Sequence, residues 1–187
     1  MRDDPEYRAA VERAESERAA LAEERRVAAQ PVVDDLRAAG VELDSLWDLH
    51  ASPQSYGIAV PVLLDHLARA YPERVLSDIG FALPNKPSRE WWPHFKSLYL
   101  STQSPAVRDR LAASMSTSAV REHYAELLDL VGNPDLGASR IYFLRPIHRI
   151  GNRISPGQGR AVIAGLAADP ELGIEATAVL KGRGVDH

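Results

Sequence analysis

Two stretches of this sequence, Asn133-Pro134-Asp135-Leu136-Gly137-Ala138-Ser139-Arg140-Ile141-Tyr142-Phe143-Leu144 and Asp169-Pro170-Glu171-Leu172-Gly173-Ile174-Glu175-Ala176-Thr177-Ala178-Val179-Leu180, are variants of one pattern. Each opens on a residue whose side chain accepts from helix N–H groups, followed by a proline at the first helical position, where its missing N–H costs nothing. The acid after the proline complements the helix dipole. Two earlier stretches, Tyr71-Pro72-Glu73-Arg74-Val75-Leu76 and Ser104-Pro105-Ala106-Val107-Arg108, carry the same punctuation. The four prolines are 33, 29 and 36 residues apart, and Met115, Leu144 and Leu180 lie ten residues after the last three. In the first unit Ala82 holds that place, with Leu83 next.

An apolar run precedes each proline signal, namely Val60–Leu67, Trp91–Leu98, His123–Leu130 and Ala161–Leu166. Helix, short turn and capped helix, repeated about every 33 residues, predict stacked helical hairpins that bury together what none buries alone. No stretch alternates with the period of a strand. The fold class expected is therefore all-α. Upstream, residues 1–30 are rich in Ala, Glu and Arg and predict a long charged helix that Pro31 stops. Its apolar stripe is thin, with Tyr7, Ala14, Leu21 and Ala28 at heptad spacing, so it reads as a mostly solvated helix or a weak pairing surface. A short amphipathic helix from Val32, closed by Gly40, and another around Leu43–Leu49 complete a helical cap over residues 31–56. Residues 57–187 form the repeats, at about 57–84, 88–117, 119–151 and 155–182.

Ser104-Pro105-Ala106-Val107-Arg108 resembles the start of a HEAT second helix, and Leu128-Asp129-Leu130-Val131-Gly132-Asn133-Pro134 is similar to the turn inside a HEAT pair. The chain thus resembles HEAT or armadillo-like proteins of the small bacterial type. The resemblance implies a right-handed α-α superhelix, a solenoid of about four hairpins with an N-terminal helical cap, and a scaffold or binding role. Three features depart from the family pattern: the Val-Arg pair occurs only in the second unit, the spacing is uneven, and Pro146 interrupts the third unit.

Composition narrows the function by exclusion. The chain has 187 residues, with 22 Lys and Arg against 26 Asp and Glu, a net charge of -4. That balance argues against a surface built throughout to coat nucleic acid or an anionic membrane. With no cysteine there is neither a disulfide nor a thiolate site. No apolar run is long enough to cross a membrane, and Met1-Arg2-Asp3-Asp4-Pro5 lacks the apolar core of a signal peptide, so a cytoplasmic location is expected. The six histidines form no pair at metal-ligand spacing, and neither a nucleophile elbow nor a phosphate loop occurs. The expectation is a non-enzymatic protein with no catalytic residue, cofactor or metal.

Charge segregation carries the functional expectation. From Leu136 through Ala168 there is no Asp or Glu, while Arg140, Arg145, Arg149, Arg153 and Arg160 fall there with His148. One reading gathers these side chains into a basic groove for an acidic protein partner, since arginine forks suit carboxylates and phosphates. The other neutralises them internally against Glu122, Glu126, Asp129 and Asp135 across the hairpin. Trp91 and Trp92 point about 100° apart on a helix; one reading puts one in the core and leaves the other half-exposed as a partner anchor, and the other shares both between neighbouring repeats and the loop Pro84-Asn85-Lys86-Pro87. The alternative function is nucleic-acid binding by a HEAT-like fold of the alkylpurine DNA glycosylase kind. A homodimer through the N-terminal helix is a further partner expectation, and no membrane partner is expected.

Overall fold

The computed structural model describes residues 5–182, and every regular element among them is helical. They fall into two compact units that divide after Ala82.

In the first unit, helix α1 (Pro5–Ala38) is followed by a 3-10 helix at Leu46–Ala51, then α2 (Tyr56–Leu67) and α3 (Glu73–Ala82). The expected stop at Pro31 does not occur, and α1 runs through it for 34 residues. The tertiary gain after the proline outweighs the lost hydrogen bond, because Val32, Val33 and Leu36 are buried to 4% exposure or less. The carbonyl that loses its donor belongs to Val27, a residue exposed enough for water to replace it. Most of α1 before that point is solvated, Tyr7 and Leu21 included. Arg25 grips Asp78 of α3 through both carboxylate oxygens, with Nε to Oδ2 at 3.1 Å. The helix ends as expected at Gly40, whose φ of 96° allows the Val41 N–H to reach back to the Leu36 carbonyl at 3.0 Å. His66, fully buried on α2, donates or accepts at both ring nitrogens, to Asp35 of α1 at 2.9 Å and to the Tyr71 hydroxyl at 2.8 Å.

The second unit contains α4 (Trp92–Ser101), α5 (Pro105–Ser118), α6 (Tyr124–Gly132), α7 (Leu144–Ile154), α8 (Gln158–Gly165) and α9 (Gly173–Leu180). Three of the expected caps form. The Ser104 hydroxyl accepts from Val107 N–H at 3.2 Å, and Asn133 Oδ1 accepts from Asp135 N–H at 3.1 Å. Asp169 Oδ1 takes the N–H groups of Glu171 and Leu172 at 2.8 and 3.0 Å. Beyond the caps, the two matching stretches part company. Pro134–Phe143 winds as 3-10 helix, broken at Gly137 by φ 62° and ψ -151°, before α7 begins. The later stretch passes through a turn at residues 170–172 into α9.

Helix α7 is the frame of this unit. Its inner face buries Leu144, Pro146, Ile147, Ile150 and Gly151. Gly151 and Gly159 let α7 and α8 approach backbone to backbone: a Cβ on Gly159 would sit 2.3 Å from the His148 carbonyl oxygen. Pro146 lies in the first turn of α7, where the helix needs no donor from it, so it starts a helix where the sequence suggested an interruption.

Candidate functional site

The acid-free arginine run divides along α7 and its approach. Arg140 is 3% exposed. Its guanidinium donates to the carbonyls of Gly137 and Val131 at 3.0 and 3.1 Å, to Asp169 at 3.3 Å and to Glu171 at 2.6 Å. Arg140 thus stands outside any groove, contrary to the sequence expectation: it is a structural crosslink between the 3-10 segment and the turn before α9. Internal pairing does occur here, but with acids that follow the run, not with the expected Glu122, Glu126, Asp129 and Asp135. The Asp169 carboxyl is held below its usual range by the Glu171 and Leu172 N–H groups, with Arg140 adding to the effect.

Arg145, half-buried, faces Glu175 of α9 at 3.5 Å. His148 is half-buried and accepts from the Asn152 amide at 3.1 Å on the side of α7 that meets α8. Arg160, exposed on α8, reaches the Leu180 carbonyl at 3.5 Å. None of these three enters a common site with the others.

Arg149 and Arg153 do. They stand one turn apart on the outer face of α7, both exposed, and line an open groove of about 790 Å³. Lys86 and Arg89 line it from the segment before α4, and Arg121 from the segment between α5 and α6. The remaining lining is Pro87, Ser88, Thr117, Ser118, Ala119, Val120, Ile150 and Ile154. Five cations thus meet in one concavity whose lining contains no acid. Among the described residues none of the five forms an ion pair with a carboxylate. Arg149 alone is tethered, its Nη2 donating to the Ala119 carbonyl at 3.2 Å, which leaves its other N–H groups to the groove. The wall is fixed by ordinary loop bonds: the Ser114 hydroxyl donates to the Pro84 carbonyl at 2.9 Å, and Thr117 donates to the Asn85 carbonyl.

The tryptophans divide between core and surface. Trp92 is 4% exposed and Trp91 half-buried, its ring 5.4 Å from that of His94. Neither lines the groove, so neither is brought to the arginines. Trp92 stacks flat on His123, ring centroids 3.8 Å apart and planes 6° apart, and its Nε1 donates to Glu126 at 3.0 Å. Glu126 is also held by Lys96 at 2.7 Å, and the Lys96 hydrogen bond leads in keeping its carboxyl below the usual range. Burial pushes the His123 imidazole below its usual value, against the opposing charges of Glu126 and Glu122 and with help from Arg89. Val120 N–H points at His123 Nδ1, 3.4 Å away, so this cluster backs the groove wall at Val120.

Sequence reading missed Lys86, Arg89 and Arg121, which lie outside the acid-free run. Their only linear signal is position, since each sits in a loop between predicted helices. Among the described residues no three His, Cys, Asp or Glu side chains converge as metal ligands, and no helix is long and apolar enough to cross a membrane. The chain matches no protein-family model, no curated protein and no solved structure.

Proposed function

We propose that this chain is a non-enzymatic protein-binding module whose basic groove, lined by Lys86, Arg89, Arg121, Arg149 and Arg153, receives an acidic surface of a cytoplasmic protein partner. The single observation that carries the reading is the convergence of five cations from three chain segments with no acidic lining. Exposed like charges so arranged repel one another and add nothing to folding, so their association points to an external anion. A HEAT or armadillo-like repeat of helical pairs is the proposed framework. It is supported by the sequential packing of α2 on α3, α4 on α5 and α8 on α9. The apolar patches of the groove, Val120, Ile150 and Ile154, favour a protein surface over a bare polyanion.

The test is fluorescence anisotropy with labelled Glu/Asp-rich peptides interspersed with Leu and Val, run beside a short DNA duplex at low and moderate salt. The peptides should bind, weaken as salt rises, and lose about tenfold in affinity to Arg149→Ala plus Arg153→Ala. Equal peptide binding by that variant would refute the groove assignment. Retention of the duplex alone would replace the protein partner with nucleic acid.

A further inference from the structure

If the groove does receive an acidic protein surface, its construction narrows the anion further. Arg140 shows how this molecule satisfies a guanidinium with carboxylates: two acids and two carbonyls surround one side chain. The groove inverts that ratio, with five cations and one carbonyl acceptor. Arg149 and Arg153 occupy an i, i+4 spacing at which like charges destabilise a helix, and Arg121 arrives from a different segment. A carboxylate brings one charge and two oxygens in one plane, so a single arginine fork already spans both oxygens and a second fork finds only their outer lone pairs. A phosphomonoester brings roughly -1.5 to -2 charges and three terminal oxygens, so forks from two directions can each take a separate edge. The neighbouring apolar lining, Val120, Ile150 and Ile154, gives room for an uncharged side chain beside the charged one. That mixture fits a single phosphorylated residue in a protein segment and not a strand of repeating phosphates.

We propose that the groove is a phosphoserine or phosphothreonine site. Arg121, Arg149 and Arg153 hold the phosphoryl oxygens, Lys86 and Arg89 attract the surrounding acidic segment, and the apolar lining takes the residue next to the phosphorylated one. No bond is made or broken, so the site reads a modification made by a separate kinase.

The experiment uses the full chain immobilised against three degenerate peptide libraries, centred on phosphoserine with phosphothreonine, on glutamate, and on unmodified serine. At about 0.15 M salt, the phosphorylated library should be retained about tenfold better than the glutamate library, and the serine library least. Arg121→Ala/Arg149→Ala/Arg153→Ala should abolish the difference while its circular dichroism and melting stay those of the parent. Free phosphoserine should compete more strongly than inorganic sulfate. Equal retention of the phosphorylated and glutamate libraries would overturn the phosphate site while leaving the acidic groove standing. Failure to retain either library, or equal retention by the triple variant, would overturn both readings.

Discussion

Two halves of one arginine run meet opposite fates. Arg140 and Arg145 are met by acids that the chain supplies itself, from the turn before α9 and from α9. Arg149 and Arg153, further along on α7, are met by more cations. The two halves separate what charge does for stability from what it does for recognition. A guanidinium that is 3% exposed must be fully paired, because an unpaired buried charge is expensive. One that stands in water can be left without a partner, at small cost to folding, and be available to a ligand.

The sharpest way to break the contrast is to disturb α7, which carries Arg145, Arg149 and Arg153. Gly159→Ala places a Cβ 2.3 Å from the His148 carbonyl oxygen and forces α8 off α7; a loss of about 3 kcal/mol is expected in denaturant unfolding. Binding at the groove should fall with it, since Arg149 directly follows His148. Arg140→Ala comes next. It removes the partner of two carbonyls and two carboxylates and leaves a cavity, for about 2–4 kcal/mol, with little effect on anion binding in the protein that remains folded. Arg145→Ala should cost only about 0.5 kcal/mol, because its pair with Glu175 is long and partly solvated. Arg149→Ala with Arg153→Ala should change stability by less than about 0.5 kcal/mol, in either direction, while removing ligand affinity.

Acid offers a further separation of the two halves. The Asp169 carboxyl is held below its ordinary value of 3.8, so its contribution is complete above that value and is lost as pH falls through the depressed one. In a melting series the Arg140 crosslink should therefore weaken only in strong acid, below about pH 4. Groove affinity for a phosphorylated peptide should decline much earlier, near pH 6, as the phosphate takes up its second proton. Parallel loss of both over one pH range would contradict the assignment of separate roles.

Much of the fold was legible because its signals are local. Ser104, Asn133, Asp169 and Gly40 act at a range of a few residues, and each cap forms where the sequence places it. Pro31 misled because its local penalty is overruled by the burial of Val32, Val33 and Leu36, a tertiary effect. Gly137 and Gly173 stand in near-identical sequence yet lead to a broken 3-10 run and an α-helix; only Gly173 is pressed against a neighbouring backbone, 2.5 Å from the Ala167 carbonyl oxygen to an added Cβ. In the groove, Arg149 and Arg153 were legible as an acid-free charge run. Lys86, Arg89 and Arg121 were not, because convergence of three separated segments has no signature in a linear count. Asp169 and Glu171 did leave a trace, as the first acids after the arginine run ends.

Helix α1 spans about 50 Å at the usual rise per residue, and Pro31 marks where its burial begins. Its amides should consequently report two regimes of hydrogen exchange. Those ahead of Arg25, the residue that grips Asp78 of α3, open by local helix–coil fluctuation and exchange within the fastest protected class. Those of Val32, Val33 and Leu36 open only when the first unit itself unfolds. The stretch from Arg25 to Pro31 thereby becomes the seam between a lever that breathes and an anchor that does not.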